Sequence, residues 1–149
     1  MTLWDWALKA YARQDVADAC LNLQDGHGQN VPYLLWAAWA AGEGRTVDPK
    51  VAALLMRRWD AEIGAPLRGV RRALKPTSPD IADQAREDLR EAVKAVELRS
   101  ERVLLESLEA LTGPAAAPRD VLESLVEAAA ASGDPPRRSA LERLAGALS

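Results

Sequence analysis

The stretch from Val31 to Ala41, VPYLLWAAWAA, carries no charged side chain. It is far shorter than the roughly 20 apolar residues that span a bilayer. A segment like this has one economical fate: a helix buried on all sides, with the rest of the chain packed around it. Nowhere does the sequence offer a sustained β-branched run of period two, so the partners of that helix are expected to be helices as well. The fold class that follows is all-α, a single-core bundle of about six to eight helices.

Local punctuation divides the chain. Thr2 with Asp5 three residues on is a capping pair, and Asn30 shortly before Pro32 resembles a capping side chain set ahead of a proline. Asp48-Pro49, Ser78-Pro79 and Asp134-Pro135 each set a capping side chain before a proline, whose missing N–H costs nothing at a first helical position. Gly26/Gly28, Gly42/Gly44, Gly64, Gly113 and Gly133 read as stops. The helices expected are 3–13, 15–25, 31–42, 49–63, 66–75, one long helix over 79–112, then 119–132 and 135–148. A linker, Gly113-Pro114-Ala115-Ala116-Ala117-Pro118, separates a core domain over 1–112 from a C-terminal helical hairpin over 119–149, expected to dock on the core. In the long helix, Leu89, Ala92, Val96, Val103, Leu104, Leu108 and Leu111 form a narrow apolar stripe, suited to lying against a bundle or a second copy.

Composition narrows the chemistry. Cys20 is the only cysteine, which excludes an internal disulfide and a zinc site built on thiolates. The start, Met1 to Trp6, lacks a basic region followed by an apolar run, so a cytoplasmic location is expected. No phosphate loop, dinucleotide fingerprint, HExxH or nucleophile elbow is present. The expectation is therefore a chain without catalytic residue, cofactor or metal.

Charge is unevenly spread. Residues 57–75 hold six bases against two acids, whereas residues 80–111 hold nine acids against five bases. Arg68, Arg71, Arg72 and Lys75 recur at i, i+3, i+4 and i+7, one face of a helix. Such a face binds phosphate, an anionic headgroup or an acidic partner. The competing reading is internal: Asp80, Asp83, Glu87, Asp88 and Glu91 follow at once, and neighbouring segments of opposite charge tend to meet. Nucleic acid is disfavoured by the net charge of −3.

Two other features bear on function. The turn Gln24-Asp25-Gly26-His27-Gly28-Gln29-Asn30 concentrates polar side chains and the only histidine. Gln24, Asp25, His27 and Asn30 are candidates for contact with a ligand or partner, although helix capping and turn bonding explain the same residues. All seven aromatics lie within the first 59 residues. Most belong to the core, but the first helix has little polar surface, so Trp4 and Trp6 are placed beside an apolar groove or patch.

Three stretches carry a resemblance. Leu3-Trp4-Asp5-Trp6-Ala7-Leu8, then Ala19 to Val31 with its Leu23-Gln24-Asp25-x-His27-Gly28-x-Asn30 core, then Leu34-Leu35-Trp36-x-x-Trp39, make the first. Trp59 with Pro66-Leu67-Arg68-x-x-Arg71-Arg72-x-Leu74-Lys75 makes the second, and Glu97-Leu98-x-x-Glu101-Arg102 the third. Together they resemble a family of small bacterial proteins classed only as a domain of unknown function, over roughly residues 3–110. The resemblance implies a common unit and transfers no catalytic or binding residue. The function expected is a non-enzymatic interaction or regulatory module that binds another protein or a second copy of itself. The alternative is a binder of an anionic metabolite, nucleotide or acyl group, using the basic helix and the 24–30 turn.

Overall fold

The computed structural model describes residues 1–149. Eight α-helices, α1 (Leu3–Tyr11), α2 (Gln14–Leu21), α3 (Val31–Gly42), α4 (Pro49–Trp59), α5 (Ala65–Ala73), α6 (Asp83–Ala110), α7 (Val121–Ser132) and α8 (Arg138–Leu148), make an all-α bundle without strands. π-helical turns extend α2 (Asn22–Gly26) and join α4 to α5 (Asp60–Gly64).

The uncharged helix α3 occupies the centre. Ten of its residues are buried, including Trp36 and Trp39. Asn30 caps it by accepting the Tyr33 N–H at 3.1 Å. Each buried polar tip but one finds a partner. The Tyr33 hydroxyl donates to the Ala128 carbonyl at 2.7 Å, and Trp36 Nε1 donates to Thr112 Oγ1 at 2.9 Å. Trp39 Nε1 has no hydrogen-bond partner, and the Arg45 guanidinium lies 5.4 Å from the centre of the Trp39 ring. The Tyr33 and Trp36 rings stack at 5.6 Å, an arrangement that contributes about 1 kcal/mol beyond the buried area.

The remaining helices wrap α3. Helix α7 packs on α3 and α4, and α8 packs on α2. Leu125, Ala128, Leu141 and Leu144 from the last two helices join the same apolar cluster as Leu3, Leu23 and Leu108. The segment after α6 is stitched to the connection between α3 and α4. Gly113 N–H donates to the Thr46 carbonyl at 2.8 Å, Thr46 N–H to the Pro114 carbonyl at 3.1 Å, and Ala116 N–H to the Gly44 carbonyl at 2.7 Å. Gly44 permits this approach. Its φ of +67° is left-handed, and a Cβ there would lie 2.7 Å from the Ala117 carbonyl carbon.

Three sequence expectations change. Gly64-Pro66 was expected to separate two helices, but α4 and α5 form one continuous rod. The chain widens a turn instead of breaking, with Ala65 N–H reaching back five residues to the Asp60 carbonyl. Ser78-Pro79 closes a turn, with Ile81 N–H donating to the Ser78 carbonyl at 3.2 Å, and α6 starts at Asp83. Asp134-Pro135 likewise precedes a turn, and α8 begins at Arg138. Thr2, Asp48 and Gly133 cap helices as read: Thr2 accepts from Asp5 N–H, Asp48 from Lys50 and Val51 N–H, and Gly133 adopts φ +93°.

A cationic cleft as candidate functional site

The widened turn between α4 and α5 sets up the site. It places Asp60 and Arg68 on one side of the rod, where Arg68 forms a two-pronged ion pair with Asp60 at 2.9 and 3.2 Å. Gly64 makes room, since a Cβ there would meet Asp60 Oδ1 at 2.7 Å. Asn30 Nδ2 lies 3.5 Å from the same carboxylate oxygen. One aspartate thus links the polar turn to the basic helix.

Beside that link lies a cleft of about 1000 Å³. Gln24, Asp25, Gly28, Gln29 and Asn30 form one wall, and Arg68, Arg71, Arg72 and Lys75 form the other. Arg57, Arg90, Ser132 and Asp134 are among the other residues that line it. Gln29 braces the first wall, its Nε2 donating to the Asp134 carbonyl at 2.7 Å and to the His27 carbonyl at 3.1 Å. Arg57 Nη1 donates to the Ser132 carbonyl at 2.7 Å, satisfying the last turn of α7.

The four cations singled out in the sequence divide into two pairs. Arg68 and Arg71 have carboxylate partners. Arg71 Nε donates to Glu97 of α6 at 2.7 Å, which leaves its two Nη groups without a hydrogen-bond partner. Arg72 and Lys75 are exposed and form no ion pair. The acids expected to neutralise the face act elsewhere. Asp83 and Glu87 flank Arg86 of their own helix, and Arg86, only 8% exposed, donates from Nη1 to the Leu74 and Lys75 carbonyls at 2.7 and 3.0 Å. A residue of α6 therefore caps α5 and fixes the end of the basic face.

Six basic side chains against Asp25, Asp60, Asp134 and the Glu97 partner of Arg71 leave the cleft with an excess of two positive charges. Arg90 Nε is buried without a partner. These features suit a multiply charged anion.

Other residues fall outside the cleft. His27 lies in the turn but does not line the cavity; its carbonyl accepts from Gln29, and its ring makes no hydrogen bond. Trp4 and Trp6 point to different places. Trp4 borders an apolar groove of about 360 Å³ with Leu8, Tyr11, Leu98 and Leu105, whereas Trp6 borders a small hollow with Trp39 and Leu148. Sequence reading missed Arg57, Asp60, Arg90 and Asp134 as cleft residues. Arg57 was inside the basic block and Asp60 counted against it, while Arg90 was hidden within an acidic helix.

Burial shifts several groups, and two of them bear on the chemistry near the cleft. Burial, and then the Glu101 carboxylate, push the Cys20 thiol up to about 12, so it is not a thiolate nucleophile at neutral pH. Glu101 on α6 is raised from 4.5 to about 7, by burial first and by Glu97 second, against the lowering effect of Arg68 and Arg71. No group of three or more His, Cys, Asp or Glu side chains is arranged to hold a metal ion.

No curated protein and no solved structure matches the chain. The model of one family does, over residues 2–108, and takes in the polar turn, the basic helix and most of α6. With more than two thirds of its residues inside that match, the chain belongs to DUF2390, a family of proteins of unknown function.

Proposed function

We propose that the chain is a cytoplasmic bacterial binding protein for a small, multiply charged anion of the phosphate class. The observation that carries this reading is the union, in one cleft, of the polar turn and the one-faced basic helix. Asp60 and Glu97 orient Arg68 and Arg71, while Arg72 and Lys75 stand without partners, so a guest need not break an existing ion pair to reach them. Gln24, Gln29 and Asn30 add amide donors and acceptors that discriminate orientation. Isothermal titration with pyrophosphate and nucleoside di- and triphosphates tests the reading. Binding that weakens with salt supports it, and an absence of heat and of any thermal shift across the series refutes it.

A second reading is an interaction module whose partner is a second copy of the chain. Its support lies on α6, which leaves Leu89, Val96 and Val103 half exposed at seven-residue spacing. Sedimentation velocity decides: a monomer at all concentrations removes this reading. No helix is long and apolar enough to cross a membrane.

A further inference from the structure

The cationic cleft does not end at its basic wall. It shares Gln24, Gln29, Asn30, Asp60 and Arg68 with a narrow neck of about 40 Å³. The neck in turn shares Pro32, Glu97 and Glu101 with the apolar groove. Arg71 lines both the cleft and the groove. The groove lies between α1 and α6 and follows α6 from Lys94 to Leu105, roughly 16 Å at the helical rise. Its walls include Leu8, 46% exposed, and Leu98, 49% exposed, beside Trp4, Tyr11 and Leu35.

We infer that the ligand is an amphiphile, with a phosphate-class head in the cleft and an unbranched apolar tail in the groove. This rests on the anion-binding reading and extends it. A compact anion would use the cleft alone and leave the apolar walls wet. A partner helix laid in the groove would leave the cations unmatched. A molecule charged at one end satisfies both chemistries, with its head at Arg71, which lines the cleft and the groove alike. Arg71 stands at the junction, held by Glu97 through Nε with both Nη groups available to the head. Glu101 lines both the neck and the groove, and with its carboxyl raised to about 7 it carries only part of a negative charge there near neutral pH.

The test is a series of n-alkyl phosphates, butyl to decyl, titrated calorimetrically below their micelle concentrations, beside inorganic phosphate, pyrophosphate and 1-octanol. Affinity is expected to tighten by about two- to fourfold per methylene, fourfold being the limit for complete burial, and then to level off when the groove is full. Leu8→Glu and Leu98→Glu, both at half-exposed sites, are expected to remove the length dependence and retain binding of pyrophosphate. Pyrophosphate binding without any gain from chain length overturns the amphiphile and leaves the anion site standing. No binding by any phosphate overturns both. Octanol binding as tightly as octyl phosphate removes the head from the recognition. Attachment to phosphatidic-acid vesicles without binding of monomeric alkyl phosphates replaces a soluble ligand by a membrane surface and also overturns the inference.

Discussion

Glu101 offers a quantitative test of how the neck is built. Its carboxyl is raised from 4.5 to about 7 chiefly by burial, with Glu97 adding to the shift and Arg68 and Arg71 opposing it. The native state therefore holds this proton more tightly than the unfolded chain does. The stabilisation is fully present below pH 4.5 and is lost as pH rises through 7. At about 1.4 kcal/mol per unit, the loss is on the order of 3 kcal/mol. Glu101→Gln keeps the site neutral at every pH. The variant should match the parent near pH 4.5 and exceed it by up to about 3 kcal/mol at pH 8.5, roughly 6–12 °C in Tm for a chain of this size. Urea unfolding followed by tryptophan fluorescence, run on both proteins from pH 4.5 to 8.5, measures the difference directly, and ionisations common to the two cancel. A difference that stays constant with pH refutes the reasoning. So does a variant that is less stable at pH 8.5, because Glu101 would then be an ionised partner of Arg68 and Arg71.

Four further outcomes follow from the geometry. Arg72→Ala and Lys75→Ala should each change stability by less than about 0.5 kcal/mol, since neither side chain has an ion-pair partner, while weakening pyrophosphate binding about tenfold; thermal melts and calorimetry separate the two effects. Gly64→Ala should displace the Asp60 carboxylate and loosen Arg68, seen as weaker anion binding with a melting loss of a few degrees. Gly44→Ala combines a left-handed φ with a backbone clash and should cost about 2 kcal/mol or more in urea unfolding. Tyr33→Phe removes the bond to the Ala128 carbonyl and should cost about 1–2 kcal/mol, measured the same way.

The parts of the fold readable in the sequence were those set by short-range chemistry. Thr2, Asn30 and Asp48 cap helices through side chains acting on N–H groups two or three residues away, so their meaning is local. The central place of α3 followed from its lack of charge. Gly64 and Pro66 misled because breaking a helix and widening one turn relieve the same lost hydrogen bond, and the choice depends on what packs against the rod. Here Trp59 Nε1 donates to the Ser100 carbonyl, and Arg71 reaches Glu97, so α6 holds both halves of the rod in line. The apolar stripe on α6 was read as one seam. It divides because Leu104, Leu105 and Leu108 face the core while Leu89, Val96 and Val103 are half exposed.

The candidate site shows the same division between local and tertiary information. Helical spacing marked Arg68, Arg71, Arg72 and Lys75, and composition marked Gln24, Asp25 and Asn30, yet nothing in either pattern states that the two segments face each other. Asp60, which looked like a mere subtraction from the basic block, lies between them, paired with Arg68 and 3.5 Å from Asn30 Nδ2. Counting net charge treats Asp60 and Glu97 as neutralising, but their geometry gives them another effect. Each holds one arginine in place, and neither touches Arg72 or Lys75. A fully paired face would repay an anion little, because every new contact would replace an old one. A fully unpaired face of four neighbouring cations would repel itself and splay into solvent. Pairing two and leaving two gives a rigid cleft that still carries an excess of positive charge, and the cost of ordering Arg68 and Arg71 is met on folding rather than on binding.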